Sequence, residues 1–402
     1  MARDRPRIAI LGAGPVGLDA ALAALDGGYP FAVYEAAPEP AANVLSWGHV
    51  RLFSPWSLDV SPRMAHHLRE AGRKVPTGEA CPTGDELVDR VLGPVAGLPA
   101  VREGLRLGTR VVRVGREGML KHDAIGTGER GRRPFRLLLA DGESREWVEH
   151  ADVVLDCTGS YTHPNAMGDG GIPAPGERAL GERIRRTIPD VAADADAWAG
   201  QRILVVGAGH SAQTAARDLA ELAASRPGTR ILWSVREAEP EWNVIPDDPL
   251  PRRRELGEEA AALAAGDAPG IELRPGTAVD ALEPNGEGIR VRLRRGDGPV
   301  EDVGVDRILS LTGYVGDHRI YRQLQVHECY ATSGPMKLAA ALLGQDSADC
   351  LAQESQGAET LMNPEPGFFI LGVKSYGRNN TFLMRVGWQQ VDEVFGALEE
   401  GE

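Results

Sequence analysis

An α/β fold carrying two parallel-sheet units is predicted from three observations. The chain has 402 residues, more than one ordinary core takes, which suggests two or three domains. "RIAILGAGPVGLDAALAAL" and "RILVVGAGHSAQTAARDLAEL" each read as an apolar strand, a Gly-rich turn and a helix, with Gly207 falling 195 residues after Gly12. "DVVLDCTG" (152–159) and "DRILSLTG" (306–313) share a third pattern, Asp, five residues, then Thr-Gly, late in each half of the chain. Each of these last two reads as a buried strand ending in a tight turn. Strands alternating with helices in this order build parallel sheets.

Gly12, Gly14 and Gly17 form G-x-G-x-x-G directly after the first strand. The first glycine permits a tight turn, the second lets backbone approach a pyrophosphate, and the third lets the helix pack on the strand. Phosphates then sit at a helix N-terminus, where free N–H groups and the dipole favour negative charge. The following strand, "FAVYE", ends at Glu35, 23 residues after Gly12, where a carboxylate can accept from a ribose diol. A bare Gly-rich turn is the alternative reading. Strand, helix and acidic terminator in register favour a Rossmann-like dinucleotide site. The basic start and apolar run also mimic a signal peptide, but Asp19 interrupts the run and the glycines hold the dinucleotide spacing.

In the second copy Gly207 and Gly209 are followed by Ala212 at the third position. Its second strand, "ILWSVR", ends in Arg236, a cation that suits a 2′-phosphate and so points to NADPH. Glu237 is adjacent and keeps NADH open. His210 and Ser211 open the helix and read as nucleotide contacts.

Composition is that of a soluble globular chain, 42% hydrophobic and 25% charged. Net charge is −14 with no sustained basic stripe, which disfavours nucleic acid and anionic lipid as partners. "PRRRE" (251–255) is the densest basic cluster and reads as a solvated face. Cys81, Cys157, Cys329 and Cys350 form no C-x-x-C pair, so neither a metal site nor a dithiol centre is indicated. Few cysteines and no export signal give a cytoplasmic expectation.

Together these motifs resemble the two-dinucleotide-binding-domain flavoproteins, from Arg7 to about Phe395. In that superfamily the first fingerprint binds FAD and the second binds NAD(P)H. "DRILSLTGY" (306–314) is similar to the D-x-x-x-L-A-T-G-Y motif of N-hydroxylating monooxygenases, with Ser310 and Leu311 where Leu/Phe and Ala are usual. The F-x-G-x-x-x-H motif of flavin-containing monooxygenases is absent, and Val373 follows Gly372 where Gly-Asp is common. The resemblance implies a split FAD domain, residues 1–165 and 315–402, with the NAD(P)H domain, 195–310, inserted through "GDGGIPAPGE" (168–177). "TRVVRVG" and "PFRLLLA" would lie in an accessory sheet. After "FFILG" comes a polar loop, then a helix from about Thr381 with Asn380 or Thr381 as N-cap, its N-terminus toward the flavin pyrimidine.

"SWGHVRLFSPW" (46–56) lies where chains of this superfamily pass the flavin. Trp47 and Trp56 are candidate ring walls, with His49 and Arg51 as donors. Alternatively Phe53 and one Trp are core and Arg51 pairs with a surface carboxylate. The implied FAD set is Gly12, Gly14, Gly17, Glu35, Trp47, Arg51, Thr158, Gly159, Asn380 and Thr381. The implied NADPH set is Gly207, Gly209, His210, Ser211 and Arg236, while His49, Arg51, Arg378 and Asn379 are substrate-end candidates. The activity implied is an NADPH-using, FAD-dependent monooxygenase passing oxygen from a flavin C4a-hydroperoxide to a nucleophilic N, S or C of a polar small molecule. Its partners would be that molecule and dioxygen, with no metal and oligomeric state open. Alternatives are a dithiol-free NAD(P)H:acceptor oxidoreductase and a non-catalytic flavin sensor.

Overall fold

The computed structural model describes residues 5–242, 244–245, 248–266, 268–344 and 355–401. The chain divides into two compact units, one of residues 1–163 with 315–402, the other of residues 164–314. The segment 164–194, read from the sequence as lying outside the inserted domain, folds with the second unit. Its strand Ile184–Arg185 pairs with Arg307–Ser310. Its buried Glu177 accepts from the Met167 and Ala174 amides and from Arg186.

In the first unit a parallel sheet runs in the order Phe368–Ile370, Val153–Asp156, Ile8–Leu11, Phe31–Tyr34, Leu105–Arg106. Side chains alternate across a strand. Ile8 and Ile10 therefore join a core with helices Pro15–Asp26 and Met384–Glu400. Ala9 and Leu11 face the other way, against Val114, Phe135, Leu137 and Leu139 of an antiparallel sheet. That sheet comprises Arg110–Arg116, Phe135–Ala140 and Glu146–Ala151. Its edge is tied to the loop before Phe368 by a fully buried triad in which Glu365 takes Arg116 at 2.8 Å and Arg130 at 2.7 Å. Neither guanidinium is left unpaired, as burial of charge requires.

The second unit repeats this plan. Its parallel sheet runs Ile271–Arg274, Arg230–Ser234, Arg202–Val206, Arg307–Ser310, Ile184–Arg185. Ile203 and Val205 pack on helix His210–Ser225, while Leu204 and Val206 pack on the antiparallel sheet of Thr277–Asn285, Gly288–Arg295 and Val300–Val305.

The repeat extends to single hydrogen bonds. Asp152 accepts from the Arg7 amide at 2.8 Å, and Asp306 from the Arg202 amide at 2.7 Å. Cys157 donates its amide to Leu11, and Leu311 donates its amide to Val206, both at 2.9 Å.

Three local expectations are corrected. The last helix starts at Met384 after an N-cap at Leu383 that makes no side-chain bond, not at Thr381. Asn379 Oδ1 accepts both the Thr381 amide, at 3.0 Å, and the Thr381 hydroxyl, at 2.7 Å, so a turn occupies the groups a cap would use. Trp56 is core, buried beneath the Arg90 guanidinium at 5.0 Å, and opens the short helix Trp56–Asp59 behind Pro55. Within "PRRRE", Arg253 is buried and bound through two nitrogens to Asp248, each at 2.7 Å.

Candidate functional site

In the first unit the Gly-rich turn leaves the strand at Gly12, whose φ is +96°. A Cβ there would meet the Cys157 carbonyl oxygen at 2.8 Å, so any other residue is both strained and blocked. Gly17 seats the helix on the strand, its missing Cβ lying over the Gly12 carbonyl. Gly14 differs, because it is the extended N-cap and a Cβ there would meet nothing within 4 Å. That open ground at a helix N-terminus is what a pyrophosphate needs. Glu35 stands beside it, accepting from the Ala13 amide at 2.8 Å and the Ala37 amide at 2.9 Å. Those two bonds hold the carboxylate still and leave lone pairs for a ribose diol. The residues present therefore fit the adenosine diphosphate end of a dinucleotide.

Opposite the turn lies "DCTG". Thr158 donates its hydroxyl to Asp156 at 2.6 Å, and Gly159 follows at φ +66°. Beneath them is a feature the sequence reading missed. Lys374 Nζ is buried and donates to Asp156 Oδ2 at 2.6 Å, Thr158 Oγ1 at 3.1 Å and the Asp317 carbonyl at 2.9 Å. All three ammonium donors are satisfied. The sequence signals were a carboxylate inside the buried strand "VVLD" and a lysine two residues past Gly372.

The aromatic stretch is clamped by its neighbour. Gly84 and Asp85 donate their amides to the Val50 and Gly48 carbonyls, and Thr83 with Glu86 forms a capping box. Trp47 packs on Gly84 and stacks with Tyr161, centroids 6.1 Å apart and planes at 30°. Trp47 Nε1 and His49 Nε2 are both buried and have no hydrogen-bond partner. Arg51 turns to the Cys81 carbonyl at 2.6 Å and to Glu86 at 3.4 Å, the arrangement of the surface-pair alternative. Arg378 is exposed, its amide bonded to the Thr332 carbonyl; Asn379 orders Thr381, and Asn380 is exposed.

Cys157 directly follows the strand that ends in Asp156. It is buried, and burial together with the Asp156 charge drives its thiol far above the ordinary range. Cys81, Cys157 and Cys329 are free thiols, and Cys350 lies outside the described residues.

The second unit builds its turn in the same way. Gly207 has φ +127°, and a Cβ there would strike the Leu311 carbonyl at 2.3 Å, while Gly209 opens onto free space. Ala212 is buried in the third position, and Ser211 is half-buried. His210 begins the helix, and burial and then the nearby Arg253 hold its imidazole below the usual range. Arg236 follows the second strand with 86% of its side chain exposed and pairs with Glu237 at 2.8 Å.

Two such turns, one in a parallel sheet inserted within the other's chain, define a flavin- and nicotinamide-dependent oxidoreductase fold. The chain belongs to the pyridine nucleotide-disulphide oxidoreductase family, whose model matches residues 6–330. Its cofactors are accordingly FAD and NAD(P)H. Among solved structures it is similar to the bacillithiol disulfide reductase Bdr (YpdA) from Bacillus cereus, at 18% identity and TM-score 0.70, covering 99% of this chain and 100% of that one. It is similar to the ornithine N-hydroxylase of Kutzneria sp. 744, at 15% and 0.65, covering 99% of each. It is also similar to T. acidophilum thioredoxin reductase, at 14% and 0.61, covering 99% of each. A search of curated proteins finds no match. Among the described residues no helix is long and apolar enough to cross a membrane, and no cluster of His, Cys, Asp and Glu is placed to hold a metal ion.

Proposed function

We propose that this protein is an NADPH-dependent FAD monooxygenase that hydroxylates a polar small molecule at a nucleophilic nitrogen, sulfur or carbon. The observation that carries the reading is the pair of buried, unpartnered atoms Trp47 Nε1 and His49 Nε2 beside the Trp47–Tyr161 stack. The large majority of buried side-chain polar atoms are paired, and an unpaired one costs about 1–3 kcal/mol. Two within three residues of each other mark ground made for a ligand's polar groups against an aromatic wall. Bound FAD supplies hydride acceptance and reaction with dioxygen. The chain's part is to hold the reactants and exclude water, which the Trp47 wall is suited to do. Arg236 supports NADPH as the nicotinamide coenzyme, and Cys157, whose ionisation burial and the Asp156 charge disfavour, is unsuited to relay electrons.

One observation favours a second reading. The similarity to the bacillithiol disulfide reductase is somewhat higher than to the ornithine N-hydroxylase, TM-score 0.70 against 0.65. In that reading electrons pass from flavin to an external acceptor. A single balance separates the two. NADPH oxidised, oxygen consumed, hydrogen peroxide released and hydroxylated product formed are measured together across a panel of primary amines and amino acids. Product accounting for most of the NADPH supports the oxygenase, and Trp47→Ala then shifts the balance toward peroxide. Fast anaerobic turnover on disulfides or quinones, with no hydroxylated product from any amine, overturns it.

A further inference from the structure

The first unit contains a cavity of about 450 Å³ lined by Lys121, His318, Arg319, Tyr321, Arg322, Gln323, Val326 and Glu328. None of these residues belongs to the Gly-rich turn, the Glu35 terminus or the Trp47 wall. The segment carrying most of them is pinned to the antiparallel sheet by the Val114 amide, which donates to the Ile320 carbonyl at 2.8 Å.

Charge in the cavity runs against the rest of the molecule. The chain carries −14, yet three of the lining side chains, Lys121, Arg319 and Arg322, are cationic and one, Glu328, is acidic. Lys121 Nζ reaches across to the Arg322 carbonyl at 3.1 Å and so fixes one edge. Arg319 is held from behind by Asp317, through Nε at 2.9 Å and Nη2 at 3.0 Å, and its Nη1 makes no hydrogen bond among the described residues. The Arg322 guanidinium has no hydrogen bond or ion pair among them either.

The single carboxylate is already engaged. Glu328 Oε1 accepts from the Tyr321 hydroxyl at 2.6 Å and from His318 Nδ1. That contact fixes the imidazole ring and uses its Nδ1. The remaining ring nitrogen, Nε2, is buried with no partner. One unpaired guanidinium, one backed guanidinium and an ammonium line the cavity as donors, while its one carboxylate is already engaged.

We propose that this cavity is a second ligand site, built from none of the residues of either dinucleotide turn, that takes a small polyanion bearing two or more carboxylate or phosphate groups. Arg319 and Arg322 match the planar oxygens of such groups, and Lys121 adds a point charge. The volume lies within the ordinary range for a small-molecule pocket, roughly 300–1,000 Å³. The proposal does not depend on how electrons leave the flavin.

The test uses FAD-loaded protein and two probes at matched ionic strength, citrate for carboxylates and inorganic pyrophosphate for phosphates, measured by titration calorimetry. At least one probe is expected to saturate, and the tighter of the two identifies the acid group preferred. Lys121→Ala with Arg322→Ala, both exposed side chains, is expected to weaken it by about tenfold or more, a difference of about 1.4 kcal/mol. The flavin spectrum and melting temperature of the variants report intact folding. No saturation of either probe by about 10 mM, where binding free energy is below about 3 kcal/mol, overturns the proposal. So does equal affinity in variants and parent, or binding seen only after FAD is removed.

Discussion

Replacing Lys374 with Met tests the floor of the first unit. Lys374 and Asp156 lie 218 positions apart, are both 0% exposed and meet at 2.6 Å. Methionine is close in length and apolar, so the space stays filled while the charge disappears. A buried carboxylate stripped of its partner costs about 3–5 kcal/mol. The Thr158 hydroxyl and the Asp317 carbonyl also lose their donor, but losses within one network do not add. The expected fall is therefore about 3–5 kcal/mol, a large share of the roughly 5–15 kcal/mol that holds a typical domain folded. Urea unfolding followed by tryptophan fluorescence reads it, with flavin absorbance read in parallel because Thr158 sits on the same network. Adding Asp156→Asn removes the stranded charge, and the double variant is expected to regain most of the loss. A fall under about 1 kcal/mol, or a double variant no better than the single one, would refute the account of this pair as a buried ion pair.

Gly14→Ala is expected to leave folding intact and abolish FAD retention, since its Cβ enters only the open cradle, whereas Gly12→Ala strikes the Cys157 carbonyl and destabilises the fold itself; melting temperature and flavin content separate them. Arg236→Ala is expected to weaken NADPH binding by about 1–2 kcal/mol, the low end for a charge-assisted contact because the side chain is so exposed, and to leave NADH unchanged; equal losses for both coenzymes assign the phosphate elsewhere. Asp59 is buried, and desolvation pushes its carboxyl up to about 7 against the opposing Ser54 hydroxyl bond. The native state then holds a proton that the unfolded chain releases near pH 4, so this group's stabilisation is full below about pH 4 and is lost as pH rises through about 7; Asp59→Asn is expected to flatten that decline in urea midpoints, and an unchanged slope sinks the assignment.

Legibility followed the range of the interactions. Gly12, Gly17 and Glu35 could be read because a tight turn, a close helix and a strand end impose their demands within about two dozen residues. Lys374 could not, since its partner Asp156 is more than two hundred residues away and becomes a neighbour only when the last strand joins the sheet. Trp56 and Arg253 failed for a different reason. Each sat in a stretch judged by its average character, aromatic in one case and basic in the other, while burial picks out single positions. Local signals existed for both. Pro55 starts a short helix at Trp56, and Asp248 lies five residues before Arg253.

The two copies show why the same turn takes different polar contents. In both, the carbonyl of the residue just after a sheet strand occupies the space a Cβ on the first glycine would need, Cys157 against Gly12 and Leu311 against Gly207. The backbone demand is identical, so the glycines and the Asp152 and Asp306 anchors are shared. The next layer is not. In the first unit the strand ends in Asp156, which needs Lys374 to be buried at all. In the second it ends in Ser310, a hydroxyl that accepts from Arg186 Nη1 at 3.3 Å, and Thr312 with Asn165 ties the turn through backbone carbonyls. A hydroxyl acceptor is given up at about 1–3 kcal/mol, whereas a buried ion pair is broken only at about 3–5 kcal/mol. The first unit thus has the stiffer floor, as suits a cofactor that stays bound through every turnover. The second has the softer one, as suits a coenzyme that must arrive and leave. Ser310→Asp would place a carboxylate beside the Arg186 guanidinium that Ser310 already accepts from, so it is expected to stiffen the second turn and slow coenzyme release in stopped-flow displacement; an unchanged release rate refutes the contrast.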